Sequence, residues 1–139
     1  MSGSWFGGEE QDPEVDKGSQ AVAAGTTVRN PDFAGFLTKQ SMWLKEWRRR
    51  YFLLKHDKLF FAEQAESEPH GVIDLADCTS VKSAEANTNK RYGFELVTPE
   101  TTFCMYADSE DEKDEWICAL TRAVVRFSDS YQEGSSAYD

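Results

Sequence analysis

Past its first thirty or so residues the chain breaks into short β-prone runs, and only near its end does the hydrophobic repeat change from that of a strand to that of a helix. The runs fall at 35–39, 47–55, 58–61, 71–75, 78–81, 92–97 and 101–106. A His56-Asp57 turn joins the second to the third, and Thr98-Pro99-Glu100 closes a hairpin between the last two. An acidic loop fills 63–69, and Asn87-Thr88-Asn89 reads as a turn. Seven strands so closely spaced predict an antiparallel sandwich or barrel. Ser109-Glu110-Asp111-Glu112 then forms a capping box, with acids gathered at the positive end of a helix. Trp116, Leu120, Ala123, Val124 and Phe127 follow as one apolar stripe, and Lys113, Cys118, Arg122 and Arg126 are assigned to the opposite face. The expected fold class is therefore mainly β with one helix, an amphipathic C-terminal helix plugging an open barrel end.

A chain of 139 residues has room for one such domain. Residues 1–31 carry glycines, prolines and acids with little period, and are expected to form a flexible acidic leader. The domain is expected over 32–127, and 128–139 reads as a polar tail. No apolar run is long enough to span a membrane. The start lacks a secretory core, and Ser2 stands where myristoylation needs glycine. Cys78, Cys104 and Cys118 have neither metal nor redox spacing, so three free thiols in a reducing, cytoplasmic compartment are expected. His56 and His70 have no Cys/His companion, which argues against a zinc site.

Charge is distributed unevenly. Between Lys39 and Lys58 seven Lys/Arg face two acids, while the rest of the chain carries eight against twenty-three, within a total of −10. Such a concentration of cations on a repulsive body reads as an anion site. Strand parity refines it: Arg48 and Arg50 share a face with Phe52 and Leu54, and Lys39 shares one with Leu37. These three cations then sit at the mouth of the core-facing side, whereas Arg49 faces outward and contributes long-range attraction. The guanidinium fork suits phosphate oxygens. Between the strands, Met42 and Trp43 with Lys45 close by resemble a membrane-inserting loop, and Leu44 is expected to fold back. No nucleophile motif, phosphate loop or metal spacing points to an enzyme, and the net charge opposes a nucleic acid.

Gly35-Phe36-Leu37-Thr38-Lys39, Trp47-Arg48-Arg49-Arg50-Tyr51-Phe52-Leu53-Leu54 and the late Glu115-Trp116-Ile117 together resemble a pleckstrin homology (PH) domain from about Phe33 to Phe127. The leader, with Gln11-Asp12-Pro13 and Asn30-Pro31, further resembles the small single-domain members found in green plants. The resemblance implies a seven-stranded bent barrel capped by the helix, and phosphoinositide binding at the opposite, open end. It implies Lys39, Arg48 and Arg50 as the phosphate grip and Lys45 as a basic auxiliary; Asn89, Lys90 and Arg91 read equally as part of a second rim or as a plain polar turn. Two departures stand out: Ser41 replaces a frequent glycine, and Glu63, Glu66 and Glu68 line the loop after the third strand. Acids on that rim favour a less phosphorylated phosphoinositide, such as a 3-phosphate. The expected protein is a monomeric, non-catalytic peripheral adaptor without cofactor or metal, reversibly associated with endosomal or plasma membrane. The alternative is a protein-interaction module of the same fold, because fold does not fix function.

Overall fold

The computed structural model describes residues 14, 15, 17–41 and 45–129. Eight strands occur among them: β1 (Ser19–Ala21), β2 (Phe33–Gln40), β3 (Trp47–Lys55), β4 (Lys58–Ala62), β5 (Pro69–Asp74), β6 (Ser80–Ser83), β7 (Gly93–Val97) and β8 (Thr102–Tyr106). A one-turn helix α1 (Glu85–Thr88) precedes β7, and the long helix α2 (Glu110–Phe127) follows β8. All pairings are antiparallel, in the order β1-β5-β4-β3-β2-β8-β7-β6. The two halves meet only briefly, where Thr38 and Lys39 of β2 face Tyr106 and Met105 of β8. The sheet bends there, and its inner face supplies Leu37, Phe52, Phe61, Phe94, Phe103 and Met105 to one core.

Helix α2 closes one end of that core with Trp116, Leu120, Ala123 and Val124. The Trp116 ring meets Phe33 edge-on at 4.7 Å and Phe52 at 6.4 Å between centroids. Gly35 lies beneath it, where an added Cβ would come within 3.4 Å of the indole nitrogen. The capping box forms its first half: Ser109 Oγ accepts a hydrogen bond from the Glu112 amide at 3.2 Å.

The structure differs from the sequence reading in four places. An eighth strand, β1, lies inside the segment read as a flexible leader, where three residues pair with Ile73, Val72 and Gly71 of β5. Its short polar sequence, Ser19-Gln20-Ala21, has no alternating apolar pattern, because it covers a sheet edge and buries little. The Asn87–Asn89 turn is the end of α1, with Asn89 as its left-handed cap at φ 57°. The strand expected at 78–81 begins two residues later, after a 3-10 turn over Leu75–Asp77. Lys113, assigned to the outer face of the helix, is instead buried: it stands one turn before Trp116 on the inward stripe and bonds Glu85 of α1 at 3.0 Å.

Candidate phosphate-binding site

The antiparallel register of β2 and β3 sets Lys39 directly opposite Arg48 and Leu37 opposite Arg50. Side chains alternate along each strand, so Lys39, Arg48 and Arg50 emerge on the core-facing side, above Phe52 and Leu54. Lys39 is only 4% exposed, and its Nζ lies over the Phe61 and Phe103 rings at 5.1 and 5.7 Å. The ring faces partly offset the cost of burying its charge.

A carboxylate already sits among these cations. Arg48 Nη1 donates to Glu14 Oε2 at 3.0 Å. Arg50 donates from Nε to both oxygens, at 2.9 and 3.0 Å, and from Nη2 to Oε2 at 2.5 Å. His70 Nε2 lies 2.8 Å from Oε1, and Lys39 Nζ donates to the Glu14 backbone carbonyl at 3.3 Å. Burial alone would raise the Glu14 pKa; hydrogen bonds from His70, Arg50 and Arg48 outweigh that and hold it far below the usual carboxylate range. The side chain is 6% exposed and anionic. The arrangement is a cluster of three residues of a strand pair and one of β5 closed on a buried carboxylate, backed by aromatic rings.

Sequence reasoning missed Glu14 and His70. His70 owes its place to the pairing of two strands: Phe61 pairs with Gly71 but Ala62 pairs with Pro69, so His70 is the extra residue of a bulge. A bulge re-aims a side chain, here out of the alternation and towards the pocket. Glu14 gave no signal, since it stands in an aperiodic acidic segment.

The other sequence-predicted residues take different places. Lys45 is exposed, with a left-handed backbone at φ 58°, and is not brought into the cluster around Glu14. Lys90 stands over the Trp47 and Tyr106 rings at 5.4 and 5.6 Å, on the sheet face opposite the pocket. Arg91 lies against Tyr92, and Asn89 caps α1, so this trio does not join Lys39, Arg48 and Arg50. Arg49 takes the outer face, as parity requires, bonding Asp108 at 2.7 Å and covering Phe36 at 4.0 Å. Glu63, Glu66 and Glu68 are all exposed, and Glu68 accepts from the Gly25 amide at 3.0 Å. Met42, Trp43 and Leu44 lie outside the described residues. No group of His, Cys, Asp and Glu among the described residues is placed to hold a metal, and no described helix is long and apolar enough to cross a membrane.

An antiparallel sheet closed at one end by a C-terminal helix, with a cluster of cations on its β2–β3 hairpin, defines a class of small β domain. The PH domain family model matches residues 31–125, and the chain belongs to that family. It is 46% identical over 107 residues to Pleckstrin homology domain-containing protein 1 of Arabidopsis thaliana, covering 73% of this chain and 74% of the relative. It is 34% identical over 91 residues to diacylglycerol kinase eta of Drosophila melanogaster, but spans 5% of that protein, so the likeness is to one part of a larger enzyme. Among solved structures, the C-terminal PH domain of pleckstrin in complex with an inositol pentakisphosphate matches at 32% identity and TM-score 0.58, over 68% of this chain and 95% of that one.

Proposed function

We propose that this protein is a non-catalytic phosphoinositide-binding adaptor, in which Lys39, Arg48 and Arg50 grip a headgroup phosphate at the open end of the sheet. The observation that supports this reading most directly is the oxyanion geometry of the pocket. Two guanidiniums and an imidazole converge on one carboxylate, with Arg50 reaching both of its oxygens. A phosphate monoester offers the same kind of acceptor with more charge. The pentakisphosphate bound to the related pleckstrin domain is consistent with inositol phosphates as the ligand class.

The finer reading is a less phosphorylated phosphoinositide such as a 3-phosphate, on endosomal or plasma membrane. It rests on the exposed Glu63 and Glu66, which make a rim unfavourable to additional phosphates. A single headgroup site gives modest membrane residence, and insertion of Met42 and Trp43 would supply the second attachment.

Vesicle sedimentation across a panel of phosphoinositides, with wild type and R48A/R50A, tests the function. Wild type is expected to sediment with mono-phosphorylated lipids and the double variant to remain in solution. Equal sedimentation of the two, or of neither, would leave the protein-interaction reading in its place. Trp43→Ala is expected to weaken vesicle binding and to spare soluble headgroup.

A further inference from the structure

The phosphate grip is filled by the chain itself. Glu14 lies thirty-four residues before Arg48 and thirty-six before Arg50, yet its carboxylate takes hydrogen bonds from both. Its position is fixed by three features of the segment that carries it. Strand β1 holds that segment to β5 through Ser19, Gln20 and Ala21. Gly18 turns the chain with φ +91°, and a Cβ there would come within 2.5 Å of Thr101 Cγ2 and 3.0 Å of Phe103. Val15, beside Glu14, packs on the core cluster. The close approach of Gly18 to Thr101 and Phe103 is open only to glycine, for backbone and for space alike.

We propose that the Glu14 carboxylate is an internal stand-in for a phosphate monoester, so that ligand enters this pocket by exchange with Glu14. The proposal rests on the phosphate-binding reading of the same site. A carboxylate and a phosphate cannot both use Arg50, because Glu14 occupies its Nε and Nη2 together. His70 becomes a fourth contact to the incoming phosphate, since it shares Oε1 of the anion to be displaced. The exchange conserves the pairing of Lys39, Arg48 and Arg50, so the cations are not left buried and unpaired in either state. Apparent affinity is then the intrinsic affinity reduced by the fraction of molecules in which Glu14 has left. A ligand with more negative charge at one phosphate competes better, and a weakly charged anion does not compete at all.

The full chain is compared as wild type, E14Q, G18A and R48A/R50A in two measurements. The first is binding to phosphatidylcholine vesicles with and without phosphatidylinositol 3-phosphate, alongside soluble inositol phosphates. The second is thermal melting in phosphate-free buffer and with added inorganic phosphate. E14Q is expected to bind headgroup and vesicle on the order of tenfold more tightly than wild type. G18A keeps every pocket side chain and is expected to move the same way, because it dislodges the segment that carries Glu14. In melting, E14Q is expected to lose stability without phosphate and to regain more of it than wild type when phosphate is added.

The outcomes separate the two readings. If wild type binds lipid, R48A/R50A does not, and E14Q is no tighter than wild type, the lipid reading stands and the exchange is overturned. If no variant binds lipid but inorganic phosphate restores E14Q selectively, the lipid source is wrong and exchange at this pocket stands for another phosphate monoester. If phosphate affects wild type and E14Q alike and lipid binds neither, both are overturned.

Discussion

Arg50 holds Glu14 side-on: its Nε lies 2.9 and 3.0 Å from the two carboxylate oxygens, and its Nη2 reaches Oε2 at 2.5 Å. With Arg48 and His70 added, the folded protein stabilises the ionised form of Glu14 well beyond what the unfolded chain can. The sign of the pH dependence follows. A carboxylate depressed on folding contributes stability above its unfolded pKa of about 4.3, and loses it as pH falls through the folded value. Wild type is therefore expected to exceed E14Q in unfolding free energy by roughly 2 kcal/mol near neutrality. The gap should narrow steadily in acid. Urea titrations of both proteins at pH 7 and pH 3 check this, and a gap that is constant with pH would refute it.

Trp116 is the second place where a single side chain joins distant parts of the sequence. Its ring packs edge-on against Phe33 at the start of β2 and faces Phe52 in β3, with Gly35 leaving room for the indole. It is 2% exposed, so truncation leaves a cavity between helix and sheet. Trp116→Ala is expected to cost about 4 kcal/mol. Trp116→Phe, which retains an aromatic edge for Phe33, should cost clearly less. Denaturant midpoints of the two variants give the comparison; equal losses would mean that the ring contacts contribute nothing beyond volume.

Much of this architecture could be read directly from the chain. The alternation in Trp47–Lys55 assigned Arg48 and Arg50 to one face and Arg49 to the other, and the register with β2 then brought Lys39 opposite Arg48. Such positions are legible because a strand has only two faces and one of them must be apolar. What escaped was non-local. β1 buries almost no apolar surface, so its pairing with β5 has no sequence pattern to reveal it. His70 owes its direction to a bulge, which needs the register of both strands to be seen. Lys113 reads as surface by its charge; its place one turn before Trp116 turns it inward, and Glu85 on a separate turn of helix supplies the partner that its ammonium needs there. Glu14 depends on all the intervening structure, and an acidic residue in a Gly- and Pro-rich segment says nothing about a partner thirty-four positions on.

The three cysteines should differ sharply towards an alkylating reagent. Cys78 is fully buried beneath α2, and burial, followed by the nearby Asp77 and Asp74, pushes its thiol up to about 12. Cys104 is half-buried, and burial together with Glu95 raises its pKa against the opposing charge of Lys45. Cys118 is exposed on the outer face of the helix, with Arg122 Nη2 2.9 Å from its sulfur. Because the thiolate is the nucleophile, iodoacetamide at pH 8 is expected to modify Cys118 first, Cys104 more slowly, and Cys78 only on unfolding. Mass spectrometry of a timed reaction reads the order. Early modification of Cys78 would show that the helix opens from the sheet under native conditions.

Arg49 offers the sharpest control on the functional assignment, because it sits between two residues of the proposed grip and faces the other way. It bonds Asp108 at 2.7 Å and lies over Phe36 at 4.0 Å, with its side chain 52% exposed. An exposed pair of this kind contributes little to stability and is screened by salt. Arg49→Ala is therefore expected to leave the affinity for soluble inositol phosphate within about twofold of wild type, since its charge lies outside the pocket. Arg48→Ala and Arg50→Ala should lower that affinity by roughly tenfold or more, as each removes a charge-assisted donor to the phosphate. On anionic vesicles Arg49→Ala should show a modest loss at low ionic strength that disappears as salt rises, the behaviour of a long-range attraction. Calorimetry with soluble headgroup, paired with vesicle binding at two salt concentrations, resolves the three variants. A loss in Arg49→Ala equal to that in Arg50→Ala would place the anion on the outer face of β3 and overturn the assignment of the pocket.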